Sequence, residues 1–185
     1  MSQFEFILTG FSIVLALSVA RLLDGLRPTF QPGRFFWIHA LWVVIKLLDT
    51  TTYFWSAWTA QGAGEWSFTD YLIVIAVPGI LYLQANALVT TKPDEVEDWR
   101  EHYFSIHRYF FIANFLLAPL GLLFTHVVAD QPFPIASTFG FGLVAILAMV
   151  AAISSSPRVH AAVAVITAAN VMFVFGSNIT QLGNQ

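Results

Sequence analysis

Six long apolar stretches run the length of this chain. Seven of its eight Lys and Arg residues fall in or beside alternate connections between them. Arg21, Arg27 and Arg34 lie around the first connection, Lys92, Arg100 and Arg108 around the third, and Arg158 in the fifth. The second connection (Ala60 to Asp70), the fourth (Ala129 to Phe133) and both tails carry no basic residue. Membrane insertion leaves short basic loops on the cytoplasmic side. The pattern therefore predicts an all-α integral membrane protein with both termini outside the cytoplasm.

The stretches place spans at about residues 4–23, 35–58, 68–89, 106–128, 133–153 and 159–180. Each is near the ~20 residues that an α-helix needs to cross ~30 Å of hydrocarbon. Backbone polar groups in lipid must be satisfied within the segment, which favours helices. None of the stretches alternates apolar and polar residues as a membrane β-strand does. Composition agrees: 57% of the 185 residues are hydrophobic and 10% charged. Soluble domains run to about 25% charged. The length fits a single domain, with no sequence repeat. The first span lacks a basic n-region and a small-residue cleavage site, so it is expected to be a retained helix.

Local signals refine the spans. Gly25 and Pro28 are expected to stop the first helix near Leu23. Phe35, Phe36 and Trp37 open the second span and Tyr53, Phe54, Trp55 and Trp58 close it, as interfacial aromatics do. Asp70 suits the first turn of the third span, where the helix dipole favours an acid. Residues 93–105 form the most charged segment, and Val96, Trp99, Tyr103 and Phe110 recur at helical spacing. This predicts a short amphipathic helix on the cytoplasmic surface before the fourth span. Ala148, Ala152, Ala164 and Ala168 are spaced to let the fifth and sixth helices approach closely.

Composition excludes several functions. The net charge of −3 argues against nucleic-acid binding. With no cysteine there is no disulfide, thiolate metal site or cysteine nucleophile. No P-loop, Gly-x-Ser-x-Gly elbow, potassium-filter motif or arginine ladder occurs, so an enzyme is disfavoured. Glu101 and His102 are adjacent, so on a helix they diverge by about 100° and make a poor acid–base pair.

Lys46 is the one Lys or Arg that departs from the alternate-connection pattern, lying near the bilayer midplane with Asp49 at i+3 on nearly the same face. An ionisable residue at that depth is costly and is a functional candidate. The leading expectation is a small channel or transporter-like protein, a homo-oligomer that handles an ion or proton and needs no cofactor. Lys46 and Asp49 would supply midplane charge and Asn114 and Asn170 a polar lining. Arg21, Asp24 and Gln84 would flank a cytoplasmic mouth. Lys46 and Asp49 can equally form a local pair that only pins helices together.

Two alternatives remain open. His39, His107 and His160 collect toward one side and could hold haem or a metal in a redox protein. Alternatively the chain is a non-catalytic membrane anchor or assembly protein that docks a protein partner through Trp99 and Tyr103. Asp94, Glu97, Asp98 and Glu101 would share one helix face, which reads as a solvated acidic surface. The compact cysteine-free chain points to a bacterial inner membrane.

Overall fold

The structure, a computed structural model, describes residues 3–56, 66–128 and 135–182. Those residues form six α-helices and no strand: α1 (Gln3–Thr29), α2 (Trp37–Ser56), α3 (Phe68–Leu88), α4 (Trp99–Leu123), α5 (Ile135–Ile153) and α6 (Pro157–Leu182). A 3-10 turn at Pro93–Glu95 precedes α4, and a π-helical turn at Phe124–Val128 extends it. Most of the second connection and the fourth lie outside the described residues.

Among the described residues, four helices are long and apolar enough to cross a membrane: Gln3–Thr29, Phe68–Glu95, Trp99–His126 and Pro157–Gly176. Thr138–Ile153 is a shorter apolar helix. Helix α2 stands outside this set because Lys46, Asp49 and the run Thr50-Thr51-Thr52 interrupt its apolar character. These helices are compatible with a membrane location. Large apolar side chains point outward from the bundle, among them Phe6, Leu83, Phe139, Ile146 and Phe173. In water such a surface would be unfavourable, and in lipid it is solvated.

The neighbours of each helix close a ring in the order α1, α2, α6, α5, α4, α3 and back to α1, with α2 also touching α3 and α4 across it. Two apolar clusters fill the interior. One joins Leu22, Trp42, Ala85, Tyr103, Phe110, Phe111 and Ala164. The other joins Ile7, Phe11, Val77, Leu81 and Phe124. Ala148, Ala152 and Ala164 are buried in the first cluster and α5 touches α6, but α5 packs mainly on α4 and Ala168 is only partly buried.

Two expectations need correction. Helix α1 does not stop near Leu23 but continues through Gly25 and Pro28 to Thr29. Gly25 permits this, because its bare Cα faces Val89 where a Cβ would have no room. The chain then turns at Gly33, whose φ of 89° suits glycine.

The second correction concerns residues 93–105, which do not form a separate surface helix. Pro93–Glu95 is one 3-10 turn, the backbone then extends, and Asp98 caps a new helix by accepting from the Arg100 amide at 2.7 Å. Trp99, Tyr103, His107, Phe110, Asn114, Ala118 and Gly121 are all buried and make one continuous stripe of α4. Their spacing of three or four residues is the face that a helix turns toward its neighbours. The apolar stripe assigned to a lipid surface meets protein instead. Asp94, Glu97, Asp98 and Glu101 consequently do not share a helix face.

Candidate functional site

Lys46 is the tenth of twenty residues in α2 and is buried. Its ammonium donates to Asp49 Oδ2 at 2.9 Å and to Asn114 Oδ1 of α4 at 2.5 Å. It also lies 5.9 Å from the Trp42 ring centre and 5.8 Å from that of Phe110. Thus two oxygens and two aromatic faces replace the water that this cation gives up.

Asn114 is the hub. Its Oδ1 accepts from Lys46 and also from Gln84 Nε2 of α3 at 3.2 Å. Gln84 Nε2 reaches the Phe110 carbonyl as well, at 3.3 Å, whereas Gln84 Oε1 is buried without a hydrogen-bond partner. Thr50 Oγ1 returns to the Lys46 carbonyl at 2.7 Å. Three helices therefore meet through neutral amides around one charge pair.

Asp49 differs from its partners. Its side chain is 28% exposed while that of Lys46 is 3%. Trp42, Lys46, Asp49 and Tyr53 follow one another at four, three and four residues, so they form one stripe of α2. Trp42 packs on Phe110 and Phe111, and Tyr53 on Phe11 and Phe124. This stripe is the inward one. The outward stripe passes instead through the exposed Trp37, Thr51 and Trp55. Asp49 thus sits on the bundle-side stripe between two aromatic layers, and its side chain remains partly exposed.

Other residues expected at this site lie elsewhere. Asn170 of α6 is half-buried and forms no hydrogen bond with these groups. Arg21 is half-buried with Nε unpartnered, Asp24 is exposed, and no ion pair joins them. Gln84 belongs to the Lys46 cluster rather than to a mouth beside Arg21 and Asp24. Asn86 does not reach across helices but donates to the Tyr82 carbonyl of its own helix at 3.0 Å. The cation–π partner Trp42 escaped the sequence reading, although its position four residues before Lys46 signalled a shared face.

A second cluster lies where the first, third and fifth connections gather. Trp99 Nε1 donates to the Pro28 carbonyl at 3.0 Å, and the Trp99 amide reaches the Arg34 carbonyl at 3.4 Å. The His39 ring stacks on Trp99 with centroids 4.5 Å apart, and its Nε2 donates to the Leu88 carbonyl at 3.0 Å. His102 Nε2 donates to the Ala87 carbonyl at 3.0 Å. His160 Nε2 donates to the Ser154 carbonyl at 2.8 Å, leaving Nδ1 to accept from the Tyr103 hydroxyl at 2.8 Å. Three connections that share almost all the basic residues are thereby fastened at one end of the bundle.

This geometry bears on both alternatives. His107 and His160 meet edge to face with centroids 5.3 Å apart, with no slot for a porphyrin between them. His39 stands on the other side of Tyr103, 6.5 Å from that ring. Among the described residues, no three His, Cys, Asp or Glu side chains are placed to hold a metal ion. Unpartnered ring nitrogens remain on His39 (Nδ1) and His107 (Nε2). Trp99 and Tyr103 are each 0% exposed. They cannot present a docking face, because the tertiary fold has already used them.

An open groove of about 590 Å³ lies near the starts of α1 and α3, lined by Gln3, Phe6, Ile7, Trp66, Ser67, Phe68 and Tyr71. Beside it Ser67 and Asp70 cap α3 reciprocally. The groove shares no residue with the Lys46 cluster. In comparisons with known protein families, curated proteins and solved structures, none matches this chain.

Proposed function

We propose that this chain is a six-span membrane protein of channel or transporter type that handles a small ion at the Lys46–Asp49 pair. The observation that carries the reading is the inward-facing Asp49 carboxylate, which keeps 28% exposure beside an ammonium at 3%. A buried lysine used only as a clamp needs no partner within reach of solvent. An ionisable group at this depth is a functional candidate by default.

In this reading the end fastened by Trp99 and His160 faces the cytoplasm, since the basic connections gather there. Both termini then lie on the opposite side, in a bacterial inner membrane. Helix α2 crosses despite its lower hydropathy, because Lys46 is satisfied against α4 and the outward Thr51 returns its hydroxyl to the Leu47 carbonyl.

The test is ion flux in proteoliposomes. Wild-type protein carries flux, while Lys46→Met and Asp49→Asn reduce it to the level of empty vesicles. Undiminished flux in both folded variants removes the assignment. The dense clasp around Trp99 favours a passive anchor as the competing reading, and an anchor shows no flux in any form of the protein.

A further inference from the structure

We propose that the ion handled here is the proton, taken up on the free oxygen of Asp49, with the Lys46 ammonium as a permanent resident cation. This deepens the transport reading and rests on it. A metal cation would have to take the place of the ammonium or sit against its charge. The oxygens it needs are committed. Asn114 Oδ1 already accepts from Lys46 and from Gln84, and Asp49 Oδ2 holds Lys46. Hard cations call for about six or more oxygens. A proton needs only one, and Asp49 Oδ1, on a side chain 28% exposed, accepts no hydrogen bond among the described residues.

The step is simple in balance. A hydronium ion gives its proton to Asp49 Oδ1 and leaves as water, the carboxylate becomes a neutral acid, and the net charge of the pair rises by one. The ammonium loses its counter-charge but keeps Asn114 Oδ1 and the faces of Trp42 and Phe110. That aromatic cradle is what lets the site exist in both forms. Lys46 is the charged group set against Asp49. Helices α4 and α3 bring the neutral Asn114 and Gln84, and Tyr53 follows on the same stripe. Arg21 and Asp24 of α1 make no ion pair with it.

Infrared spectroscopy of reconstituted protein reads this directly. Acidification should produce a carboxylic-acid stretch in wild type that is absent in Asp49→Asn and shifted in frequency in Asp49→Glu. A wild-type spectrum without that band, or a band that survives in Asp49→Asn, overturns the proposal. A vesicle-trapped pH dye should report proton flux lost in Asp49→Asn, with sodium and potassium flux at background. Sodium or potassium flux that depends on Asp49 overturns the proton but leaves transport standing. An Asp49-dependent band with no flux of any ion upholds proton uptake and removes transport.

Discussion

Lys46 and Asn114 are 68 residues apart in the chain, yet the Lys46 ammonium and Asn114 Oδ1 are 2.5 Å apart. This contact joins α2 to α4 across the ring of helices, and it holds a cation inside an apolar bundle. Its strength follows from the alternative, which is an ammonium without an acceptor in a dry interior.

Removing Lys46 alone should therefore be costly. Lys46→Met is expected to destabilise the bundle by about 3 kcal/mol, because it leaves the Asp49 carboxylate without its cation and Asn114 Oδ1 without one of its two donors. Lys46→Met with Asp49→Leu should recover much of that loss. Reversible unfolding in mixed micelles measures both. A double variant no more stable than the single one would show that the unpaired carboxylate is not the source of the loss.

Asn114 and Gln84 should not be equivalent. Asn114→Leu strips an acceptor from both Lys46 and Gln84, and about 2 kcal/mol of destabilisation is expected. Gln84→Leu removes a side chain whose Oε1 is already buried and unpartnered, so its cost should stay below about 1 kcal/mol. The same unfolding assay ranks them, and the reverse order would displace Asn114 as the hub.

Trp99 offers a graded test of the clasp. Trp99→Phe keeps an aromatic face against His39 but loses the hydrogen bond to the Pro28 carbonyl, at a cost of about 1 kcal/mol. Trp99→Ala also opens a cavity and should cost about 3–5 kcal/mol. Equal losses in the two variants would mean that the indole N–H contributes nothing.

Two glycines set helix spacing. A Cβ on Gly25 would meet Val89, and one on Gly121 would meet the Phe141 ring. Gly25→Ala should destabilise by about 1–3 kcal/mol, as overpacking does. Adding Val89→Ala should return most of it, a coupling that a double-mutant cycle measures. Additive effects would place the strain elsewhere.

Tyr103 and His160 share one hydrogen bond across α4 and α6. Tyr103→Phe leaves His160 Nδ1 without a donor, and about 1 kcal/mol should be lost. With His160→Phe the same hydroxyl loses its acceptor. The double variant should cost less than the sum, and strict additivity in thermal unfolding would deny the bond.

The helices were legible because an apolar run of about 20 residues has few other uses. The Lys46–Asp49 pair was legible because i and i+3 lie on one face. Misreadings arose where the period was right and the partner unknown. Trp99, Tyr103 and Phe110 repeat as they would on a membrane surface or inside a bundle, and periodicity cannot tell lipid from protein. Helix α1 overran its expected end because Gly25 and Pro28 are stop signals only when nothing packs on that turn, and here Val89 and Trp99 do.

The sequence by itself determined the helical class, the approximate helix bounds, the asymmetry of basic charge and the presence of a costly ion pair, all of which depend on neighbours within a turn or two. Only the tertiary structure decided that Asn114 and Gln84 complete that pair, that Trp99 and Tyr103 are interior, and that His39 and His160 stitch distant connections. Those contacts depend on which faces of separate helices meet. That choice is made by the fit of side chains such as Gly25 to Val89 and Trp42 to Phe110, and no spacing along one helix encodes it.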